Sequence, residues 1–153
     1  MFNAFKKKHD RTQAGQEDRV PPGQYVTEKF PVLHYGSVPQ YTDLHTTWDL
    51  RFWGEIEDVA RLSFAEFRAL PTVEVITDIH CVTRWSKLDT RWGGVQFKEL
   101  LKHIPALKPS VQFVIAHCDQ GFTANVPLDV LLDDEAMLAY ICLLYTSPSP
   151  RDS

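Results

Sequence analysis

The stretch that decides the fold of this chain reads DIHCVTRWSKLDTRWGGV and occupies residues 78–95. The β-branched run VEVIT at residues 73–77 precedes it and predicts a strand that ends close to Cys81. Proteins commonly present reactive side chains where a strand gives way to a loop. Arg84 and Lys87 follow closely, and cationic neighbours favour the thiolate form of a thiol. The pattern indicates a cysteine placed for chemistry, with a small buried hydrophobic residue as the structural alternative.

A zinc site is the first chemical alternative, because two His-Cys dipeptides occur, at His80-Cys81 and at His117-Cys118. Neighbouring residues of a strand point to opposite faces, so neither pair chelates easily with both side chains. The spacings also differ from the Cys-x-x-Cys and His-x-x-x-His patterns of zinc proteins. The sequence therefore argues against zinc.

A cysteine hydrolase is the second alternative, and it requires a histidine close to the thiol in space. The residues around Cys81 carry no local hydrolase signature. This alternative stays open with four candidate bases, which are His34, His45, His103 and His117.

Residues 78–95 as a whole closely resemble the core of the sulfite-oxidase-like, molybdopterin-dependent oxidoreductases, in which the cysteine that matches Cys81 binds molybdenum. Further segments resemble the family in the same order along the chain, and the likeness covers about residues 20 to 140. The short, single-domain members of the family are the most similar. The segments are FPVLHYG with the following VP between residues 30 and 39, WDL with WG between residues 48 and 54, and GFTANVPL at residues 121–128.

The resemblance implies the sulfite-oxidase-type molybdopterin-binding fold and a molybdenum–molybdopterin cofactor. Cys81 would be the metal ligand from the protein, while the pyranopterin dithiolene supplies further sulfurs. The implied reaction is oxygen-atom transfer to or from a small oxo substrate, with an electron donor or acceptor that the sequence does not identify. A non-catalytic binding module of the same fold is the alternative from another functional class.

The resemblance also assigns roles to other residues, each of which has an ordinary structural explanation. Arg84 joins Cys81 as a catalytic candidate that attracts an anionic substrate or a cofactor phosphate, yet arginines on loops are commonly solvated. Tyr35 and Thr123 lie in segments that a simple turn would also explain. The cofactor-binding candidates are His34, Tyr35, Cys81, Thr83, Thr123 and Asn125.

The last residues of the chain, 142–153, read CLLYTSPSPRDS and resemble a translated sequencing adapter. We therefore expect a non-native tail and exclude it from the fold, with an ordinary Ser/Pro-rich disordered tail as the alternative. The His-Gly-Gly-Pro and Trp-Lys-Ser-Ala-Lys segments of the resembled family are absent. We expect residues 25–141 to form a C-terminally truncated molybdopterin-binding domain, and we expect the activity to belong to the intact parent protein rather than to this fragment.

Composition fits one globular domain without a nucleic-acid partner, because the formal net charge is −4 over 153 residues and 44% of the residues are hydrophobic. The basic cluster at Lys6, Lys7 and Lys8 is typical of a solvated tail. No apolar run of signal-peptide or membrane-spanning length follows. With few cysteines and no paired framework, we expect a cytoplasmic protein without a membrane partner.

Strands and short helices mix without regular alternation, which predicts an α+β domain. Residues 1–24 lack periodicity and predict a disordered tail. Ser63 and Glu66 form a capping-box pattern at the start of a short helix that ends before Pro71. The other predicted elements are a strand over residues 48–56, a helix over residues 95–104 and a strand over residues 111–117, with residues 126–140 ambiguous.

Overall fold

A computed structural model describes the protein over residues 16–31, 35–37 and 39–142. The chain divides into two compact units, and each unit is assembled from separate stretches of sequence. None of the helices in the described residues is long and apolar enough to cross a membrane. Unit one comprises Met1–Val32, Val73–Gly94 and Ala139–Ser153, and unit two comprises Leu33–Thr72 and Val95–Leu138.

The sheet of unit one is centred on the long strand β5, Trp85–Gln96. The strand β4, Val73–His80, pairs with β5 in antiparallel fashion and confirms the strand predicted before Cys81. Two more strands pair with β5: the short parallel strand β1, Tyr25–Val26, and the later strand β8, Met137–Cys142. β4 and β5 therefore form a hairpin whose tip carries Cys81.

A β-bulge interrupts the pairing of β4 with β5 shortly before that tip. Thr77 pairs with Thr90 and Ile79 pairs with Lys87, so β5 carries one extra residue opposite Asp78. Asp89, within the bulge, has a φ of 55°. Its backbone N–H donates to the carboxylate of Asp78 at 3.0 Å. The bulge thus sets the register of the residues that lead to Cys81.

The first described residues form the short helix α1, Gln16–Arg19, in unit one. Arg19 donates from Nε to Asp78 Oδ2 at 2.9 Å and from a terminal nitrogen to Asp89 Oδ1 at 2.7 Å. The sequence predicted a disordered tail over residues 1–24, and this is corrected from residue 16 onwards. The prediction missed the contact because its partners lie far away in sequence.

The first part of unit two is an antiparallel hairpin with two short helices beside it. Here the predicted strand over residues 48–56 is shorter, and Ile56 instead forms an isolated bridge with Leu107. The four elements are α2, Leu44–Thr47; β2, Asp49–Phe52; β3, Ala60–Ser63; and α3, Phe64–Ala69.

The capping box predicted for α3 is confirmed. Ser63 Oγ accepts the N–H of Glu66 at 3.3 Å, and the Glu66 carboxylate accepts the N–H of Ser63 at 2.8 Å. These bonds satisfy N–H groups that lack partners within the helix. The helix then packs the buried ring of Phe67 into the unit.

The predicted helix over residues 95–104 is wrong in its bounds, because the regular helix α4 covers Phe97–Leu100. Val95 is fully buried and lies in β5, not in the helix, because the strand continues past Gly93 and Gly94 to Gln96. The N–H of Phe97 then bonds to the carbonyl of Ala136 at 3.0 Å. Pairing with distant strands therefore overrides the local helical pattern at its start. The buried apolar side chains of unit two are Ile56, Phe67, Val95, Phe97 and Leu100.

The last part of unit two is a second antiparallel hairpin. Its first strand confirms the strand predicted over residues 111–117, with a start two residues later. The residues left ambiguous after 126 end one strand, form one helical turn and enter β8. The elements are β6, Phe113–His117; a 3₁₀ turn, Asp119–Gly121; β7, Thr123–Pro127; and α5, Leu128–Leu131. Mixed helices and antiparallel strands confirm the predicted α+β class.

Candidate functional site

Cys81 is the first residue of the tight turn that joins β4 to β5. Its carbonyl accepts the N–H of Arg84 at 3.0 Å, and its own N–H donates to the carbonyl of Trp85 at 2.9 Å. Arg84 closes the turn with a φ of 70°, in the left-handed region that glycine usually fills. A turn that ends in a left-handed residue is a common connection in β-hairpins. We name residues 81–84 the Cys81 turn.

The Cys81 turn stabilises the thiolate form of its cysteine. The hydroxyl of Thr83 donates to Cys81 Sγ at 3.2 Å. This bond, with smaller contributions from the backbone N–H groups of Thr83 and Val82, lowers the pKa of the Cys81 thiol below its ordinary value. Cys81 is half-buried, while Val82, Thr83 and Arg84 are exposed. The turn therefore carries an ionisable sulfur at its first residue and an exposed cationic side chain at its last.

Arg84 keeps its guanidinium available at the surface. Within the described residues it forms no salt bridge, and its side chain is exposed. Its backbone is held instead, because the Arg84 carbonyl accepts the N–H of Tyr25 at 3.0 Å. A fixed backbone with a free cationic head suits attraction of an anion.

The candidates Thr123 and Asn125 lie on β7 in unit two. Exposed and half-buried residues alternate along this strand, so both side chains share its exposed face. They pair with His117 and Ile115 of β6, and side chains directly opposite each other lie on the same face. The two predicted residues are thus brought together on one face of the hairpin.

Tyr35 also belongs to unit two and lies beside the same hairpin. Its ring centroid is 5.7 Å from that of Phe122, the residue that precedes Thr123. Both rings are largely exposed. His34 lies outside the described residues. The structure therefore groups Cys81, Thr83 and Arg84 in unit one and Tyr35, Thr123 and Asn125 in unit two.

The histidines proposed as bases for a cysteine hydrolase have other neighbours. The rings of His45 and His117 pack against aromatic rings, and His103 faces Glu99 at 3.3 Å. Among the described residues, no histidine is hydrogen-bonded to the Cys81 thiol. The same residues also hold no group of three or more His, Cys, Asp or Glu side chains that could bind a metal ion together.

Sequence reasoning missed the residues that support the Cys81 turn from outside. The hydroxyl of Ser86 is fully buried and donates to Gln24 Oε1 at 2.6 Å. Gln24 and Tyr25 come from the stretch before and at the start of the expected domain. Neither Ser86 in β5 nor Gln24 before β1 belongs to a sequence motif. The sequence therefore gave no indication of this contact.

Comparison with known proteins shows the family to which the chain belongs. The family model described as "oxidoreductase molybdopterin binding domain" matches residues 35–142. A protein of Bacillus subtilis (strain 168), named "uncharacterized oxidoreductase YuiH", is 44% identical over 128 residues. That match covers 84% of this chain and 64% of the relative, so the chain spans less than two thirds of the relative's length. The chain belongs to the oxidoreductase molybdopterin-binding domain family, as the resemblance of residues 78–95 predicted.

Proposed function

We propose that this domain binds molybdenum through Cys81 and catalyses oxygen-atom transfer on a small oxo substrate. The observation that carries the proposal is the hydrogen bond of 3.2 Å from the Thr83 hydroxyl to Cys81 Sγ. A thiolate, rather than a thiol, is the form that binds metal ions. The proposal extends the family membership from a molybdopterin-binding domain to a specific ligand and reaction.

The residues of the Cys81 turn fit an anionic metal–pterin group. Cys81 is partly accessible, its thiol pKa is lowered, and its polar neighbours are exposed rather than packed in a core. When bound, molybdopterin supplies the two-electron redox chemistry of the reaction, while the protein positions the group and tunes it. Cys81 would hold the metal, and Thr83 would keep the sulfur charged.

Arg84 has a separate role in the proposal. Its exposed guanidinium would attract an anionic substrate or a cofactor phosphate toward the Cys81 turn. Its left-handed backbone fixes where the side chain begins, one residue after the donor Thr83. Substitution should therefore weaken binding of the anion more than binding of the metal.

Tyr35, Thr123 and Asn125 are the other residues that we propose for contacts to the pterin. Thr123 and Asn125 supply a hydroxyl and an amide on one exposed strand face, and Tyr35 supplies an exposed ring. These are the polar and aromatic groups that orient a heterocycle in a binding site. The small oxo substrate, the electron donor or acceptor and the cytoplasmic location belong to the same proposal.

Molybdenum content tests the proposal directly. The intact parent protein would be produced in a host that synthesises molybdopterin, together with its Cys81→Ser variant and, as a matched control, the exposed-cysteine variant Cys118→Ser. We expect near-equimolar molybdenum in the wild type and in Cys118→Ser. In Cys81→Ser, X-ray absorption should show loss of a sulfur ligand, or the metal should be lost altogether.

The other outcomes decide between the alternatives. A folded wild-type chain without molybdenum from such a host would contradict the proposal. Bound cofactor without turnover of any oxo substrate would indicate a non-catalytic binding module. Turnover without the metal that is abolished by Cys81→Ser would indicate a cysteine-dependent enzyme instead.

A further inference from the structure

We propose that residues 24–27, which precede the part of the chain matched by the family model, are positioning residues for the Cys81 turn. The matched part begins at residue 35, yet the segment before it bonds to both the main chain and a side chain at the base of this turn. This inference rests on the proposed role of Cys81 as metal ligand. It assigns a positioning role to a segment that precedes the residues matched by the family model.

The first link is made by the backbone of β1. The N–H of Tyr25 donates to the carbonyl of Arg84 at 3.0 Å, and the N–H of Thr27 donates to the carbonyl of Ser86 at 2.9 Å. β1 thereby pairs in parallel with the first two residues of β5. The bond to Arg84 reaches the turn itself, at the residue whose backbone is in the left-handed region. β1 thus fixes the end of the turn opposite Cys81.

The second link is a chain of side-chain hydrogen bonds from Gln24 to His80. The buried Ser86 hydroxyl donates its one proton to Gln24 Oε1 at 2.6 Å. Ser86 Oγ lies 2.9 Å from His80 Nδ1, so it must accept a proton from that nitrogen. A neutral His80 ring therefore carries its proton on Nδ1, because the partner of one ring nitrogen decides the tautomer.

The position of this chain in the sheet connects it to Cys81. His80 and Ser86 face each other across β4 and β5 and form the last paired residues before the turn. Cys81 follows His80 directly, and its N–H bonds to the carbonyl of Trp85, next to Ser86. Gln24 therefore ties together both strands at the point where they enter the Cys81 turn.

Four variants of the full chain separate positioning from general stability. Gln24→Leu removes the acceptor, Gln24→Glu keeps an acceptor oxygen, and Ser86→Ala removes the hydroxyl between the two partners. The matched control is Thr90→Val, because Thr90 is also fully buried in β5 and donates its hydroxyl to the carbonyl of Thr77 at 2.5 Å. It removes a buried hydroxyl from the same strand on the far side of the bulge.

Three readouts are measured: amide hydrogen exchange, the imidazole ¹⁵N shifts of His80, and molybdenum content. In Gln24→Leu and in Ser86→Ala, exchange at the amides of Cys81 and Arg84 should accelerate about fivefold, as expected for losing a typical hydrogen bond. Gln24→Leu frees the serine proton for His80 Nδ1, so the ¹⁵N shifts should report a ring protonated on Nε2. Both variants should retain less molybdenum than Thr90→Val.

Gln24→Glu keeps the acceptor oxygen, so all three readouts should stay closer to the wild type than in Gln24→Leu. Wild-type exchange at the Cys81 turn and wild-type His80 shifts in folded Gln24→Leu would overturn the proposal. The proposal would also be overturned if amide exchange accelerated in Gln24→Leu while its molybdenum retention matched that of Thr90→Val. The contact would then stabilise the turn without affecting the cofactor. If Gln24→Leu fails to fold, the comparison of Ser86→Ala with Thr90→Val decides in the same way.

Failure of the proposed function would appear differently. If no variant and no wild-type sample contained molybdenum, Cys81 would not be a metal ligand in this chain, and its positioning for that role would fall with it. The exchange and ¹⁵N readouts of the metal-free chain would still decide whether residues 24–27 hold the turn. Loss of the metal alone therefore cannot be mistaken for loss of the contact.

Discussion

One hydroxyl group is the first cause of the lowered pKa of the Cys81 thiol. Thr83 donates to the sulfur at 3.2 Å and is the largest cause of the lowered thiol pKa. Thr83→Val keeps the shape of the side chain but removes the donor, so the pKa of Cys81 should rise and less thiolate should form at neutral pH. The rate of Cys81 alkylation by iodoacetamide, followed by peptide mass spectrometry against pH, measures this change.

Two controls belong to this measurement. Thr83→Ser retains the hydroxyl and should react like the wild type. Cys118, an exposed cysteine of unit two, is alkylated in the same sample and reports any general change in reactivity. Equal pH profiles for Thr83→Val and the wild type would show that the hydroxyl does not control the thiolate.

The backbone of Arg84 stores strain that can be measured separately from its charge. A non-glycine residue in the left-handed region costs roughly 1 to 2 kcal/mol, and Arg84 has a φ of 70° there. Arg84→Gly and Arg84→Ala both remove the guanidinium, but only glycine relieves the strain. We expect Arg84→Gly to be more stable than Arg84→Ala by about 1 kcal/mol in urea unfolding, after allowance for the extra freedom of glycine in the unfolded chain. Equal stabilities would mean that the turn relaxes when the side chain is shortened.

At the scale of the elements, the carboxylate in the bulge between β4 and β5 makes the free energy of unfolding depend on pH. Arg19 is the main cause of the lowered pKa of Asp78, whose carboxylate also accepts the N–H of Asp89. An Asp carboxyl has a pKa of about 3.9 in the unfolded chain, and a lower pKa in the folded state means that the charged carboxylate stabilises the fold at pH values above about 3.9. This stabilisation is lost as the pH falls through the folded-state pKa. Asp78→Asn should therefore cost roughly 1 to 3 kcal/mol at neutral pH, and the cost should shrink in acid.

Urea unfolding from pH 7 to pH 3 tests this expectation. Glu74→Gln is the matched control, because Glu74 lies on the same strand and its ion pair with the half-exposed Arg91 is longer, at 3.6 Å. That substitution should cost less than about 1 kcal/mol. A constant difference between Asp78→Asn and the wild type at every pH would contradict the role of the carboxylate charge.

Elements with strictly local signals could be predicted from the sequence, whereas those fixed by distant partners could not. The α3 helix followed from Ser63 and Glu66, since a capping box lies within one helical turn. The start of α4 was placed too early, because strand pairing holds Val95 in β5. α1 was missed for the same reason, since its Arg19 is held by Asp78 and Asp89 from later strands.

At the scale of the whole molecule, the candidate site shows the same division between local and distant information. The sequence predicts three site residues together, because one continuous segment, residues 78–95, contains Cys81, Thr83 and Arg84. The hydrogen bonds that link Gln24, Ser86 and His80 could not be predicted, because Gln24 reaches Ser86 across a long separation in sequence. The chain passes between its two units several times, so neighbours in space are frequently far apart in sequence.

The cofactor contact proposed for Asn125 can be tested separately from the stability of the molecule. Asn125 is exposed on β7 in unit two, so Asn125→Ala should leave the free energy of unfolding within about 0.5 kcal/mol of the wild type. If its amide binds the pterin, the variant should lose about fivefold in cofactor retention, as expected for one hydrogen bond. Fluorescence of the oxidised pterin released from purified protein measures retention, with Gln112→Ala, an exposed residue just before β6, as the control. Equal retention in the two variants would confine the cofactor contacts to other residues. Selective loss in Asn125→Ala would support a contact between the Asn125 amide and the cofactor.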